Sequence, residues 1–182
     1  MTDRPIAFVT GAAQGIGLAT AERLARDGFR VVAMDRNGAR MEQEAANLRA
    51  RGLDVLAATV DVCDRASVVA ALDAQPRVDA MVCAAGIYND AQFLDLTEHA
   101  FRQMLDVNVI GTFLPAQEAA RRMHAGGRIV TISSRGALGG TRFAHYVASK
   151  AAVIGLTRPW RWNCATGRSP STRWRQVLPT RP

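Results

Sequence analysis

Near the end of the chain a phenol and an amine stand four residues apart, in the run Tyr146-Val147-Ala148-Ser149-Lys150. On a helix that spacing puts both side chains on one face, one turn from each other. A cation there favours the phenolate and draws down a pKa that is about 10 in an isolated phenol. Tyr146 is thereby fitted to give and take a proton near neutrality. Lys150 is the only lysine among 23 basic residues, and its position one turn after this tyrosine favours function over chance.

A second constellation lies at the other end. Thr10-Gly11-Ala12-Ala13-Gln14-Gly15-Ile16-Gly17 follows the apolar run 6–10 and opens a helical pattern. Glycines there let a backbone pass close to a pyrophosphate, and the free N–H groups at the start of the helix attract the anion. Eighteen residues beyond Gly17 stands Asp35, where a carboxylate accepts from an adenosine ribose and repels a 2′-phosphate. This favours NAD over NADP. Arg36 follows and could pair with a phosphate, so NADP stays possible. Asp61, followed by Val62, closes another apolar run; its carboxylate suits an adenine amino group or, equally, the N-cap of a helix near Arg65.

Short apolar runs alternating with amphipathic stretches must position these groups. Strands are expected over 6–10, 30–35, 54–60, 79–83 and 128–133. Helices are expected over 15–27, 39–51, 65–74, 98–107, 110–124 and 146–158. The strands are apolar nearly throughout, as in parallel sheets covered on both faces, and the alternation is that of βαβ units.

The glycine spacing departs from G-x-G-x-x-G. With Y-x-x-x-K at 146–150, Ile132-Ser133-Ser134 at a strand end and Asn108-Val109-Ile110-Gly111 in a helix, it makes residues 1–158 resemble the short-chain dehydrogenase/reductase family. The resemblance implies a Rossmann-like doubly wound α/β fold with helices on both faces, and an NAD(P)-dependent oxidoreductase acting on an alcohol or ketone. In that reading Tyr146 delivers a proton as negative charge forms on the substrate oxygen, and Lys150 lowers its pKa and binds the cofactor ribose. Ser134 holds the substrate oxygen, and Asn108 relays protons through water to Lys150. Counting back thirteen residues from Tyr146 gives Ser133, but strand register selects Ser134. The cofactor would lie along Thr10, Gly11, Gln14, Gly15, Ile16, Gly17, Asp35, Arg36, Asp61, Val62, Ala85 and Gly86. Where the family often has N-N-A-G, this chain has Cys83-Ala84-Ala85-Gly86, which removes hydrogen bonds expected to brace neighbouring strands. Relatives assemble through the helices flanking the fifth strand, so a homodimer or homotetramer is expected. A 3-oxoacyl thioester, a sugar or polyol, and a cyclic alcohol all remain open as substrates. His145 is expected at the mouth of the site.

Composition is consistent with one globular domain: 182 residues, 48% hydrophobic and 21% charged. No apolar run is long enough for a membrane span, and nothing resembles a signal peptide, so a cytoplasmic protein is expected. Three scattered cysteines exclude a disulfide framework and a zinc site. The net charge of +7 is uneven. Residues 1–158 hold 18 basic and 16 acidic residues, whereas 159–182 hold five arginines, no acid and all three tryptophans. The chain therefore divides into a dinucleotide-binding domain, 1–158, and a basic tail, 159–182, expected to be irregular. The last strands would be missing and the fifth strand left as an exposed edge. A reading-frame shift is the expected origin of such a tail. In the offset frame Trp160-Arg161-Trp162-Asn163-Cys164 reads Met/Leu/Val-Ala-Met/Leu/Val-Glu-Leu, similar to the family's continuing helix, and 172–177 permit Ala-Val-Ala-Pro-Gly. A catalytically impaired nucleotide-binding remnant is the main alternative function. A nucleic-acid-binding arm is a lesser one, and no nucleic-acid partner is expected.

Overall fold

The computed structural model describes residues 4–165 and 173–177. Strands β1 (Ile6–Thr10), β2 (Arg30–Asp35), β3 (Val55–Thr59), β4 (Val78–Cys83), β5 (Met123–Ile132) and β6 (Arg173–Val177) form one sheet in the order β3-β2-β1-β4-β5-β6. Every pairing is parallel. The connections are α1 (Gly15–Arg26), α2 (Gly38–Ala50), α3 (Arg65–Asp73), α4 (Glu98–Leu105), α5 (Gly111–Arg122) and α6 (Ala144–Ala165).

Alternation along β1 explains why the strands are apolar on both sides. Ile6 and Phe8 join a core with Val68 and Leu72 of α3 and Ala116 and Ala119 of α5. Ala7 and Val9 face the other way, onto Ala21 and Ala25 of α1 and Met41 and Leu48 of α2. Each residue of β1 is thus buried by one helix layer or the other. The chain reverses direction across the sheet between β1 and β4, and at such a switch point the carboxyl ends of the strands open a crevice. Thr10, Asp35, Cys83 and Ile132 all end strands on that side.

Past residue 158 the structure departs from the sequence expectation. The helix expected over 146–158 continues through Pro159 to Ala165. Proline forfeits one helical hydrogen bond, but Trp160 stacks on Phe113 of α5, with ring centroids 5.8 Å apart and planes at 25°, and packs against the core. That contact offsets the lost bond. Nor is the tail irregular throughout: β6 pairs with β5 from Arg128↔Arg173 to Ile132↔Val177, and Ser133 N donates to Val177 O at 3.0 Å. An open strand edge offers unpaired backbone groups to any extended segment within reach. Backbone pairing of that kind needs no apolar alternation in the sequence. The fifth strand is therefore interior and the sixth is the edge, with Arg175 exposed on it.

Candidate active site

The glycine turn is shaped by contacts that exclude side chains. Gly11 has φ +65°, and a Cβ on it would stand 2.7 Å from Ala85 Cα. A Cβ on Gly17 would overlap the carbonyl oxygen of Gly11. Gly15 has φ +57° and nothing within 4 Å of a Cβ position, so the space before it is open. Gln14, the N-cap of α1, makes no side-chain cap bond, leaving the helix start free to meet an anion. Gln14 instead accepts a 2.8 Å bond from Arg40 through its amide oxygen.

A cleft of about 390 Å³ runs along this turn, lined by Gly11, Gln14, Gly15, Ile16, Gly17, Asp35, Arg36, Asp61, Val62, Ala85 and Gly86. Thr10 does not line it. Its hydroxyl is buried and accepts bonds of 3.0 Å from both Ala84 N and Ala85 N. That supplies the brace which the alanines of Cys83-Ala84-Ala85-Gly86 cannot. Asp35 accepts from Ala13 N at 3.1 Å and Asn37 N at 3.0 Å, and a carboxylate retains further lone pairs. Asp61 accepts from Cys63 N at 2.8 Å, while the N-cap of α3 is Asp64, which accepts from Ala66 N. Cys63, Ala84, Ile87, Val60 and Val107 also line the cleft and were not expected. Their place after the carboxyl ends of β3 and β4, or on the turn facing them, is the signal that could have found them.

The group around Tyr146 and Lys150 gathers beyond Gly86 and Ile87 of this cleft. Asn108 lies buried in a five-residue π turn, Asp106–Ile110, between α4 and α5. Its amide nitrogen donates to Ile87 O at 3.1 Å and to Ser149 Oγ at 3.0 Å, and its Oδ1 accepts from Ile87 N at 2.8 Å. One amide thus joins the loop after β4 to α6. Lys150 is 6% exposed and donates to Ile132 O at 3.0 Å; its Nζ is 5.8 Å from the centroid of the Tyr146 ring. Burial pushes its pKa down to about 8. A Cβ on Gly86 would stand 3.1 Å from Asn108 Oδ1 and 3.4 Å from Lys150 Nζ, so glycine leaves room beside both.

Strand register separates the two serines. Ser133 is buried and donates to Lys150 O at 2.8 Å. Ser134 accepts from Gly136 N at 3.0 Å and lines a hollow of about 580 Å³ with Tyr88, Arg135, Gly136, Gly139, Phe143 and Tyr146. A Cβ on Gly136 would touch both the Ser134 hydroxyl and the Tyr146 ring, each at 3.3 Å. His145 is not at the mouth: it is wholly buried, because in the first turn of α6 it faces inward, one residue out of step with Tyr146.

The chain matches the family model described as short chain dehydrogenase over residues 5–167. It belongs to the short-chain dehydrogenase family. The match continues nine residues past the composition break at 158. Among relatives, the (2S)-[(R)-hydroxy(phenyl)methyl]succinyl-CoA dehydrogenase subunit BbsD of Thauera aromatica is 36% identical over 84% of this chain and 64% of its own length. Sorbitol dehydrogenase of Cereibacter sphaeroides is 36% identical over 86% and 63%. A solved structure of a short-chain dehydrogenase/reductase from Burkholderia phymatum in complex with NAD superposes with a TM-score of 0.90. It is 27% identical, and the match covers 97% of this chain and 66% of that one. A second, from Serratia marcescens, gives 0.88 at 32% identity over 96% and 73%. The chain spans about three-fifths of the length of the curated relatives it matches.

For a short-chain dehydrogenase, these features fit a dinucleotide. The turn admits no side chain at Gly11 or Gly17, the helix start is uncapped, and carboxylates stand at the far wall. Among the described residues no three His, Cys, Asp or Glu side chains gather, and no helix is long and apolar enough to cross a membrane.

Proposed function

We propose that this short-chain dehydrogenase binds NAD, in preference to NADP, and interconverts a small alcohol and its ketone. The observation that carries the reading is the meeting of Tyr146 and Ser134 in one hollow, with Lys150 placed between the Tyr146 ring and Gly86, a residue of the cleft that Asp35 also walls. When bound, the nicotinamide supplies or accepts the hydride; the chain's residues manage the oxygen and its proton. Ser134 donates to the substrate oxygen, fixing it beside the Tyr146 hydroxyl, which gives its proton as negative charge develops there. Lys150, held by Ile132 O, presents a cation to the phenol and to the ribose hydroxyls. Asn108, tied to Ile87 and Ser149, keeps the floor of the site in place and leads protons through water to Lys150. Thr10 takes part by bracing Ala84 and Ala85 rather than by touching the cofactor. Asp35 accepts from the adenosine ribose, and a 2′-phosphate would meet its charge. In the cell the protein would work in the cytoplasm, as a dimer or tetramer.

Titration with NAD and NADP, followed by turnover on a panel of a 3-oxoacyl thioester, sorbitol and cyclohexanol, tests the reading. The expected result is tighter binding of NAD and turnover of one panel class, abolished by Tyr146→Phe. Binding of neither dinucleotide would end it. NAD binding without turnover on any class would favour the nucleotide-binding remnant.

A further inference from the structure

His145 precedes Tyr146, is wholly buried, and has no part in the reaction as derived. Its Nε2 lies 2.6 Å from Asn89 Oδ1, and its Nδ1 meets no partner among the described residues. An amide oxygen only accepts, so the ring proton sits on Nε2. Turning the amide over would force that proton onto Nδ1, buried without an acceptor, which is costly. Protonating both nitrogens carries the same penalty, in keeping with a pKa that burial pushes below the ordinary histidine value. His145 is thus a neutral donor fixed on Asn89.

Asn89 belongs to the segment 88–91, which follows β4, has no regular structure of its own and has Tyr88, Asn89 and Asp90 exposed. Besides the bond from His145, it holds its course by contacts with Arg142, just before α6, and by one of its own. Ala91 N donates to Arg142 O at 2.9 Å, the Arg142 guanidinium lies 3.7 Å from Asp90, and Tyr88 donates its hydroxyl proton to Asp90 at 2.5 Å. Of these contacts, only the one from His145 starts from a wholly buried side chain. The segment delivers Tyr88 edge-on to the Tyr146 ring, centroids 5.0 Å apart and planes at 89°. Tyr146 therefore leans on a ring whose backbone is pinned by the residue beside it.

We infer that His145 is a positioning residue for Tyr146: by donating to Asn89 it sets Tyr88 against the phenol and holds the reacting hydroxyl in line with Ser134. The inference rests on the proposed function for its catalytic consequence, though its geometric part is measurable without turnover. The chain contains two tyrosines, Tyr88 and Tyr146, so carbon-13 labelling of the tyrosine ring gives two signals, assigned with Tyr88→Phe.

Three variants test it: Asn89→Ala, His145→Leu and His145→Gln, whose amide reaches where Nε2 stands. In Asn89→Ala and His145→Leu the Tyr146 signal shifts or broadens, and kcat on whichever panel substrate is turned over falls at least roughly tenfold with NAD affinity unchanged. His145→Gln returns both towards wild type. An unmoved Tyr146 signal in Asn89→Ala, or a Gln variant as impaired as the Leu variant, overturns the inference. Should His145→Leu fail to fold, Asn89→Ala, altered only at an exposed side chain, carries the test. A wild-type chain that binds no NAD refutes the proposed function, while the two tyrosine signals still decide the role of His145.

Discussion

Lys150→Met should stabilise the folded chain at neutral pH while removing the amine on which the proposed reaction depends. Folding takes Nζ out of water to a site 6% exposed, where it donates to the carbonyl of Ile132 and no carboxylate pairs with it among the described residues. Desolvation lowers its pKa from 10.5 to about 8. The unfolded amine therefore keeps its proton up to 10.5 and the folded one only to about 8. Across that window the unfolded chain binds more protons, and stability rises with pH. At about 1.4 kcal/mol per pKa unit, the charged amine costs the fold about 3 kcal/mol below the window. Two thiols act in the opposite sense. Burial pushes Cys83 up to about 12 and Cys63 to about 11, from 9.0, so the unfolded chain loses those protons first and stability falls as pH climbs above 9.0. A wild-type curve mixes both trends, whereas the difference between variant and wild type cancels the thiols. Urea unfolding followed by circular dichroism, at neutral pH and at pH 10.5, gives that difference. The variant's advantage should shrink by about 3 kcal/mol over this span. An advantage that does not change with pH would refute the desolvation argument.

Gly11→Ala should destabilise the fold by about 1–3 kcal/mol, since φ is +65° and the new methyl meets Ala85; thermal melts should also lose the rise that NAD gives the wild type. Asp35→Ser should weaken NAD by about tenfold through lost charged hydrogen bonds and leave NADP as tight or tighter, with equal losses for both in titration speaking against the ribose contact. Trp160→Ala should cost about 2 kcal/mol in urea, for the stacked, partly buried ring on Phe113, and an unchanged midpoint would mean that α6 does not depend on it. Cys63, with its thiol raised to about 11, should resist iodoacetamide at neutral pH by peptide mapping; rapid alkylation would place it in a more open or more cationic setting.

The order of strands and helices up to Cys83 was legible in the sequence because burial on both faces writes continuous apolar runs, and because two of the three helix starts, those of α2 and α3, carry side-chain caps, Asn37 and Asp64. The glycine turn was legible for a steric reason: side chains cannot stand at Gly11 or Gly17. Three features were hidden. Pro159 reads as a stop, yet what keeps α6 going is a ring contact between Trp160 and Phe113, forty-seven positions apart. β6 rests on backbone pairing to β5, and backbone groups leave no trace in residue type. His145 reads as a residue at the mouth of the site until the partner, Asn89, is brought beside it.

The single lysine of this chain, buried in the middle of α6, gives the protein an uncommon chemistry toward reagents. A protease that cuts only after lysine has one internal site, between Lys150 and Ala151, and the helix must open before the bond can enter such an enzyme. Under slow cutting, the rate of appearance of two fragments reports the population of molecules in which α6 has come undone. Cofactor that closes over this helix should slow the cut, so digestion becomes a binding assay that needs no substrate. Crosslinking through lysine, conversely, will report little of this chain's neighbours, whatever they are.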